Sequence, residues 1–203
     1  MTISRKTRPL TRDTRILRDA TLVVIATEGS ETERQYFSIF GNKRVQVKVI
    51  PSFNGRSAPN HILINLKKFQ QEYNLDKKDI LCLAIDKDRY PESMLSLVAA
   101  ESFKADLIFS VSVPSFEVWL SLHFDAPIPE TLRTARDFED HLRNYLGSYN
   151  KSNINLGVFV PGVSMAVSRA RALDTNPSHR WPEKIGSRVY RIVEKIQSLY
   201  GVE

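Results

Sequence analysis

The chain has 203 residues, 42% hydrophobic and 26% charged, the make-up of a domain that buries a sizeable core without staples. That composition excludes collagen-like, coiled-coil and wholly disordered chains, and the longest apolar runs (Leu22–Ala26, Ile80–Ile85, Leu107–Val113) are too short to cross a bilayer. The formal charge is +6, from 29 Lys and Arg against 23 Asp and Glu, and its clustering in basic patches favours a polyanionic partner, with a solvated tail and helix face as the alternative.

Residues 1–20 are polar with no sustained apolar period and carry six cations (Arg5, Lys6, Arg8, Arg12, Arg15, Arg18) against Asp13 and Asp19; they read as a basic flexible arm. Thr21–Thr27 is a β-branched apolar run, as expected of a buried strand. Glu28-Gly29 turns the chain, and Ser30-Glu31-Thr32-Glu33 has the spacing of a capping box opening a helix to about Phe40. Val45–Ile50 alternates as a strand wet on one face, Pro51–Gly55 is a loop, and His61–Tyr73 has helical spacing. Asp79–Ile85 is a second buried run; Pro91, at the first helical position, starts a helix to about Phe103. Leu107–Val113 is the fourth strand, ended by Pro114.

Strands alternating with helices predict a mainly parallel four-stranded sheet covered on both faces. Beyond Pro114 the pattern is helical only, over about 115–124, 134–146, 162–173 and 187–200, punctuated by glycine and proline. The expected organisation is an arm at 1–20, an α/β core at 21–124 and a helical extension at 125–203 packed on it. A second basic excess lies in 169–195 (Arg169, Arg171, Arg180, Lys184, Arg188, Arg191 and Lys195 against three acids); it is either a nucleic-acid footprint or a solvated helix face. The single cysteine, Cys82, lies in a buried run, so an internal disulfide and a thiolate zinc site are both out, and a reducing cytoplasm is the simplest compartment. No secretory or transit signal is recognisable.

The functional argument rests on where the acids fall. Glu28 follows the first strand, Asp86-Lys87-Asp88 the third, and Glu117 the fourth. In a parallel sheet all lie at the carboxyl ends of the strands, where open α/β folds place their sites. Asp86 and Asp88, two apart in extended chain, should point to one side. Carboxylates converging on one cleft repel unless neutralised, and a hard divalent cation does this, holding carboxylates, waters and substrate phosphates. Lys87 and Arg89 are then placed to take phosphate oxygens. The competing reading is that acids after strands cap helices; Glu31 and Glu33 are read that way, as favouring the positive end of the first helix only. His123 is read as a packed histidine rather than a ligand, and Phe116, Trp119 and Leu120 as core. A phosphate-cradling loop of the Gly-x-x-x-x-Gly-Lys-Ser/Thr kind is missing, and no Ser-His-Asp or Cys-His arrangement stands out.

An apolar strand followed by Glu28-Gly29, with a later strand ending in Asp86-Lys87-Asp88, resembles the Toprim domain of topoisomerases, bacterial-type primases and overcoming-lysogenization-type nucleases. More narrowly, Thr27–Glu33 with Tyr36-Phe37, Asp86-Lys87-Asp88-Arg89, and Pro114-Ser115-Phe116-Glu117-Val118-Trp119-Leu120 with Leu122-His123-Phe124 resemble the RloB family. Tyr149-Asn150-Lys151 and Asn176-Pro177-Ser178 echo it less sharply. Val113 stands where that family usually has Asn, and an insertion around Ser178–Ser187 departs from it. The resemblance implies a Toprim-like, Mg²⁺- or Mn²⁺-dependent nuclease acting on RNA, tRNA or DNA, the toxic effector of an anti-phage abortive infection system with an ABC/AAA-type ATPase partner. Glu28, Asp86, Asp88 and Glu117 would be its catalytic and metal-holding residues, with Lys87, Arg89 and Lys151 on phosphate. A non-cleaving metal- or nucleic-acid-binding module is the alternative, and a primase is disfavoured for want of a zinc ribbon. Oligomeric state is open, with a homodimer the common default.

Overall fold

The computed structural model describes residues 20–200 apart from 53–56, 76, 89, 126 and 127. The basic arm through residue 19, the tip of the 51–57 loop and Arg89 therefore lie outside the described residues. Strands β1 (Thr21–Thr27), β2 (Val45–Ile50), β3 (Ile80–Asp86) and β4 (Ile108–Val113) alternate with helices α1 (Thr32–Phe37), α2 (Pro59–Glu72) and α3 (Glu92–Lys104). After β4 come α4 (Phe116–Ser121), α5 (Ala135–Leu146), α6 (Val163–Leu173), β5 (Gly186–Ser187) and α7 (Val189–Ser198). Among the described residues no helix is long and apolar enough to cross a membrane.

The sheet has five strands rather than the expected four, in the order β2-β1-β3-β4-β5. The first four are parallel, and β5 joins β4 antiparallel through Ser112↔Ser187 and Val113↔Gly186. Two residues carry no period-2 signal, so β5 was invisible to patterning; what holds it is the Ser112–Ser187 hydroxyl bond (2.8 Å) and the Arg188 amide donating to the Val111 carbonyl (3.1 Å). The region expected to be purely helical thus closes one sheet edge, and the last helix begins at Val189 because 186–187 are spent on pairing.

Alternation along each buried strand sorts side chains between the two faces. Val23 and Ile25 of β1 and Cys82 and Ala84 of β3 face a large cluster under α1, α4, α6 and α7, with Tyr36, Trp119, Phe159 and Ile192. Val24, Ala26, Leu81, Leu83 and Ile85 face α2 and α3, against Ile62, Leu66, Leu95 and Val98. Phe116, Trp119, Leu120 and Cys82 are buried, as a core reading requires.

Helix starts depart from expectation in two places. Ser30 does not cap α1: Glu31 is its N-cap and makes no side-chain capping bond, and after Phe37 the chain tightens into i→i−3 turns through Phe40. Pro91 is the N-cap of α3 in extended conformation, one residue before the position proposed for it, with Glu92 in the first turn.

The C-terminal half is locked by a buried ion pair. Arg188 Nη2 and Nε donate to the two carboxylate oxygens of Asp174 at 2.8 and 2.9 Å, both side chains within 2% of full burial, and Tyr190 donates to the same carboxylate at 2.9 Å. Burial by itself raises the Asp174 carboxyl; the hydrogen bonds from Arg188 and Tyr190 and the charges of Arg188 and Arg191 override it and hold it below its usual range. Removing one partner of such a pair strands the other charge. Arg188→Met is therefore expected to cost about 3–5 kcal/mol in urea denaturation at pH 7. Because the Asp174 pKa is depressed, its contribution is present above the ordinary carboxylate range and fades as pH falls through the folded value, so the gap between wild type and variant should narrow in acid. A gap that is absent at pH 7, or that widens in acid, would remove the pair from this role.

Candidate functional site

Parallel pairing brings the ends of β1, β3 and β4 to one edge: Thr27 lies level with Ala84, and Asp86 with Ser112. The residues that follow these strands line a cavity of about 240 Å³, whose walls carry Glu28, Glu33, Asp86 and Glu117 with Lys151; Glu31 also lines it, but its carboxylate is partly exposed and paired with Arg34 at 2.6 Å. Each carboxylate is held by a different part of the chain.

Glu28 is 8% exposed; its Oε1 accepts from Tyr90 (3.1 Å), and its carbonyl accepts from the Ser52 hydroxyl (2.6 Å). The next residue, Gly29, turns the chain, with the Thr27 hydroxyl donating to the Gly29 carbonyl (2.8 Å). The Gly29 amide donates to Glu33 Oε1 at 3.0 Å, and a Cβ at position 29 would overlap the Glu33 carboxylate. Glycine here is what lets a side chain one helical turn on reach back into the cavity. Glu33 is therefore a member of the cluster, not the helix-end acid that spacing alone suggested. Burial pushes its carboxyl up and the Glu117 charge adds to this, while the backbone amides of Glu33 and Gly29 and the Lys151 charge pull it back in part.

Glu117 enters from the first turn of α4, 2% exposed. It accepts from the Ser115 hydroxyl (2.7 Å) and from Tyr149 (3.2 Å), and it pairs with Lys151 at 2.9 Å. Burial, then the Glu117 charge, pushes the Tyr149 phenol up, so it stays a donor. Lys151 also pairs with Glu139 of α5 at 2.6 Å. Its ammonium is thus committed to two carboxylates, and burial's tendency to lower its pKa is overridden by them. The 149–154 segment that carries these groups is strapped to α1: the Lys151 carbonyl accepts from Thr32 (3.1 Å) and Gln35 (3.2 Å), and Gln35 accepts from the Ile154 amide (3.0 Å).

Asp86, half-buried at the tip of β3, has its carboxyl raised well above the usual range, first by burial and then by the charges of Glu33, Glu28, Glu117 and Asp88. Asp88 does not share its position. The strand ends at Asp86, the Lys87 and Asp88 amides turn to donate to the Pro114 carbonyl (3.1 and 3.2 Å), and Asp88 is exposed outside the cavity wall. The extended-chain alternation that would have paired the two aspartates stops one residue too early. Lys87 points elsewhere, to Glu92 at 2.9 Å.

His123 is away from the cavity. Nδ1 lies 3.0 Å from the Trp119 carbonyl and Nε2 3.0 Å from the Tyr36 hydroxyl. A carbonyl only accepts, so Nδ1 carries the proton and Nε2 accepts from Tyr36. Burial lowers its pKa to about 4, so it is neutral in ordinary buffers. It is a packed histidine, as expected.

Glu33 was read from sequence only as a helix-end acid and Tyr149 only as part of the Tyr149-Asn150-Lys151 stretch, while Tyr90 and Glu139 were not singled out. Glu33 had a usable signal: it shares a helix face with Tyr36 and Phe37 at i+3 and i+4, and those two are core. Tyr90 and Glu139 had none, since only the tertiary fold brings them near.

The donor set suits a hard divalent cation, being carboxylate oxygens with no thiol or imidazole. As placed, with Glu117 held by Lys151 and Glu28 by Tyr90, no three His, Cys, Asp or Glu side chains among the described residues converge on one ligating point. The electrostatic cost of the cluster is directly measurable. A carboxyl with a raised folded pKa loses stability as pH rises from its unfolded to its folded value. Asp86→Asn should therefore melt a few degrees above wild type at pH 7 in chelator, with the difference vanishing near pH 3.5. An unchanged or lower melting temperature at pH 7 would show that the crowding is relieved in some other way.

Comparison with known proteins adds one finding. No curated protein and no solved structure matches the chain. The family model described as RloB-like protein matches residues 23–196, from β1 into α7, taking in every cavity-lining acid. With most of its length inside that match, the chain belongs to the RloB family.

Proposed function

We propose that this chain is a metal-dependent phosphodiester hydrolase, a nuclease of the Toprim-like kind. The observation that carries the reading is the convergence of Glu28, Glu33, Asp86 and Glu117 on one small cavity at the carboxyl edge of the parallel strands. A purely structural domain gains nothing from crowding these carboxylates: burial first, and then the charges of Glu33, Glu28, Glu117 and Asp88, raise the Asp86 carboxyl. Clusters that oppose stability in this way are expected where a ligand supplies the missing charge.

Glu28, Asp86 and Glu117 would hold Mg²⁺ or Mn²⁺, with Asp88 adding charge from the turn beyond. A bound cation of this type supplies polarisation of a phosphoryl oxygen and a water activated near neutral pH. The rest falls to the chain. The Gly29 amide fixes Glu33, and its elevated carboxyl suits it to hold a proton for the departing oxygen. Tyr90 and Tyr149 orient Glu28 and Glu117 by donating to one oxygen of each. Lys151 balances Glu117 until substrate or cation arrives. In the setting the family resemblance implies, such a nuclease is the toxic effector of an abortive infection system with an ATPase partner that senses infection.

One observation favours a second reading. Lys151 already neutralises Glu117 and Glu139 from within the chain, as a module that binds without cutting would require. Incubation of the protein with cellular RNA and plasmid DNA in Mg²⁺ or Mn²⁺, against chelator, separates the two. Cleavage that depends on metal and falls at least about 100-fold in Glu28→Gln and Asp86→Asn supports the hydrolase. Metal-independent cleavage overturns the metal-dependent hydrolase, and no cleavage by wild type while Mn²⁺ still binds supports the module.

A further inference from the structure

The end of β3 faces two cavities. Asp86 lines the carboxylate cavity, while Lys87, the next residue, lines a second of about 590 Å³ together with Glu92, His179, Arg180, Trp181 and Glu183. Adjacent Cα atoms are about 3.8 Å apart, so residues a single peptide step apart line the two cavities.

The far wall of the second cavity is the segment 176–185, which has no helix or strand. Its backbone is nonetheless braced. Arg188, clamped on Asp174, donates to the carbonyls of Asn176 (2.9 Å) and His179, and Arg191 donates to that of Pro177 (2.8 Å). A buried guanidinium spent on loop carbonyls holds the side chains of that loop in fixed places. Arg180 reaches the Ser96 hydroxyl at 2.7 Å and pairs with no carboxylate among the described residues. Trp181 is half-buried against the α2/α3 core, and the Lys87 ammonium stands 5.7 Å from its ring centroid. One side of the indole is therefore met by the tip of a flexible side chain. Glu92 and Glu183 each already have a cationic or imidazole partner, in Lys87 and His179.

We infer that this second cavity is a nucleotide subsite for single-stranded nucleic acid, stacking a base on Trp181 and holding the adjoining phosphate with Lys87 and Arg180. The inference rests on the nuclease reading for its substrate class. An indole takes any base by its π-face, but only when the base is out of a duplex stack. Cations flanking the ring supply the phosphate contacts. The phosphate takes Lys87 from Glu92, which leaves the ring face to the base. The subsite thus sits one residue from Asp86 and extends the strand away from the carboxylates.

The test uses the full chain in chelator, with a labelled 12-nucleotide single strand, RNA or DNA, and the matching duplex as probes, read by fluorescence anisotropy. Single strand should bind more tightly than duplex. Trp181→Ala should weaken it about tenfold, and Trp181→Phe by less than about threefold. Arg180→Gln should reduce the salt slope of log K by about one. Trp119 is fully buried, so quenching of the wild-type indole emission on binding reports Trp181 even if the alanine variant folds poorly. A Trp181→Ala protein with native melting and unchanged affinity, an unquenched indole, or equal binding of duplex each overturns the subsite. The two proposals fail separately. Trp181-dependent binding without metal-dependent cleavage leaves the subsite and removes the nuclease; metal-dependent cleavage indifferent to Trp181 does the reverse.

Discussion

Like charge at the carboxyl edge of a parallel sheet is the constraint around which this molecule is arranged. Parallel pairing obliges β1, β3 and β4 to end on the same side, and the chain places Glu28 directly after β1, Asp86 at the tip of β3, and Glu117 in the first turn of the helix that follows β4. Four carboxylates then share a cavity where burial already disfavours their charged forms. Three of them have their own donors: Tyr90 for Glu28, the Gly29 amide for Glu33, and Ser115, Tyr149 and Lys151 for Glu117. Asp86 has its carboxyl raised first by burial and then by the charges of Glu33, Glu28, Glu117 and Asp88.

Those donors come from far apart in sequence, which explains why the C-terminal half is inseparable from the site. Tyr149 and Lys151 belong to the segment after α5, and that segment is tied to α1 by Thr32 and Gln35. The same half supplies β5 to the sheet and α7 to the core. The Asp174–Arg188 pair in turn fixes the 176–185 loop against the other side of β3. A buried ion pair is a weak way to gain stability, since desolvation consumes most of the Coulombic return. Its use here is geometric: one guanidinium satisfies a carboxylate and two loop carbonyls at once.

How much of this was legible in the sequence follows from the range of each signal. The β1–β4 and α2–α7 elements were readable because buried strands and amphipathic helices carry their period in a window of ten residues. The placement of Glu28, Asp86 and Glu117 on one edge followed from parallel topology alone. Glu33 was misread because the capping spacing was weighed above the helix face it shares with Tyr36 and Phe37; the deciding fact is that Gly29 leaves room for its carboxylate. Asp88 was misread because the extended conformation was assumed to continue, whereas the Pro114 carbonyl captures the Lys87 and Asp88 amides and turns the chain. β5 is two residues held by a hydroxyl pair and one backbone bond, below the length at which any period exists.

The turn at Pro114 has a further consequence. By ending β3 at Asp86 it separates two neighbouring side chains, sending the acid into the carboxylate cavity and the base toward Trp181. Had the strand run on, Asp86 and Asp88 would have lain on one face, and Lys87 would have projected from the other with no loop to meet it. The chain instead directs the acid and the base of one peptide step into two different cavities. On the two readings proposed above, a polyanion approaching this edge would have a direction imposed on it, with its phosphates on the Lys87 and Arg180 side and a compensating cation needed beside Asp86.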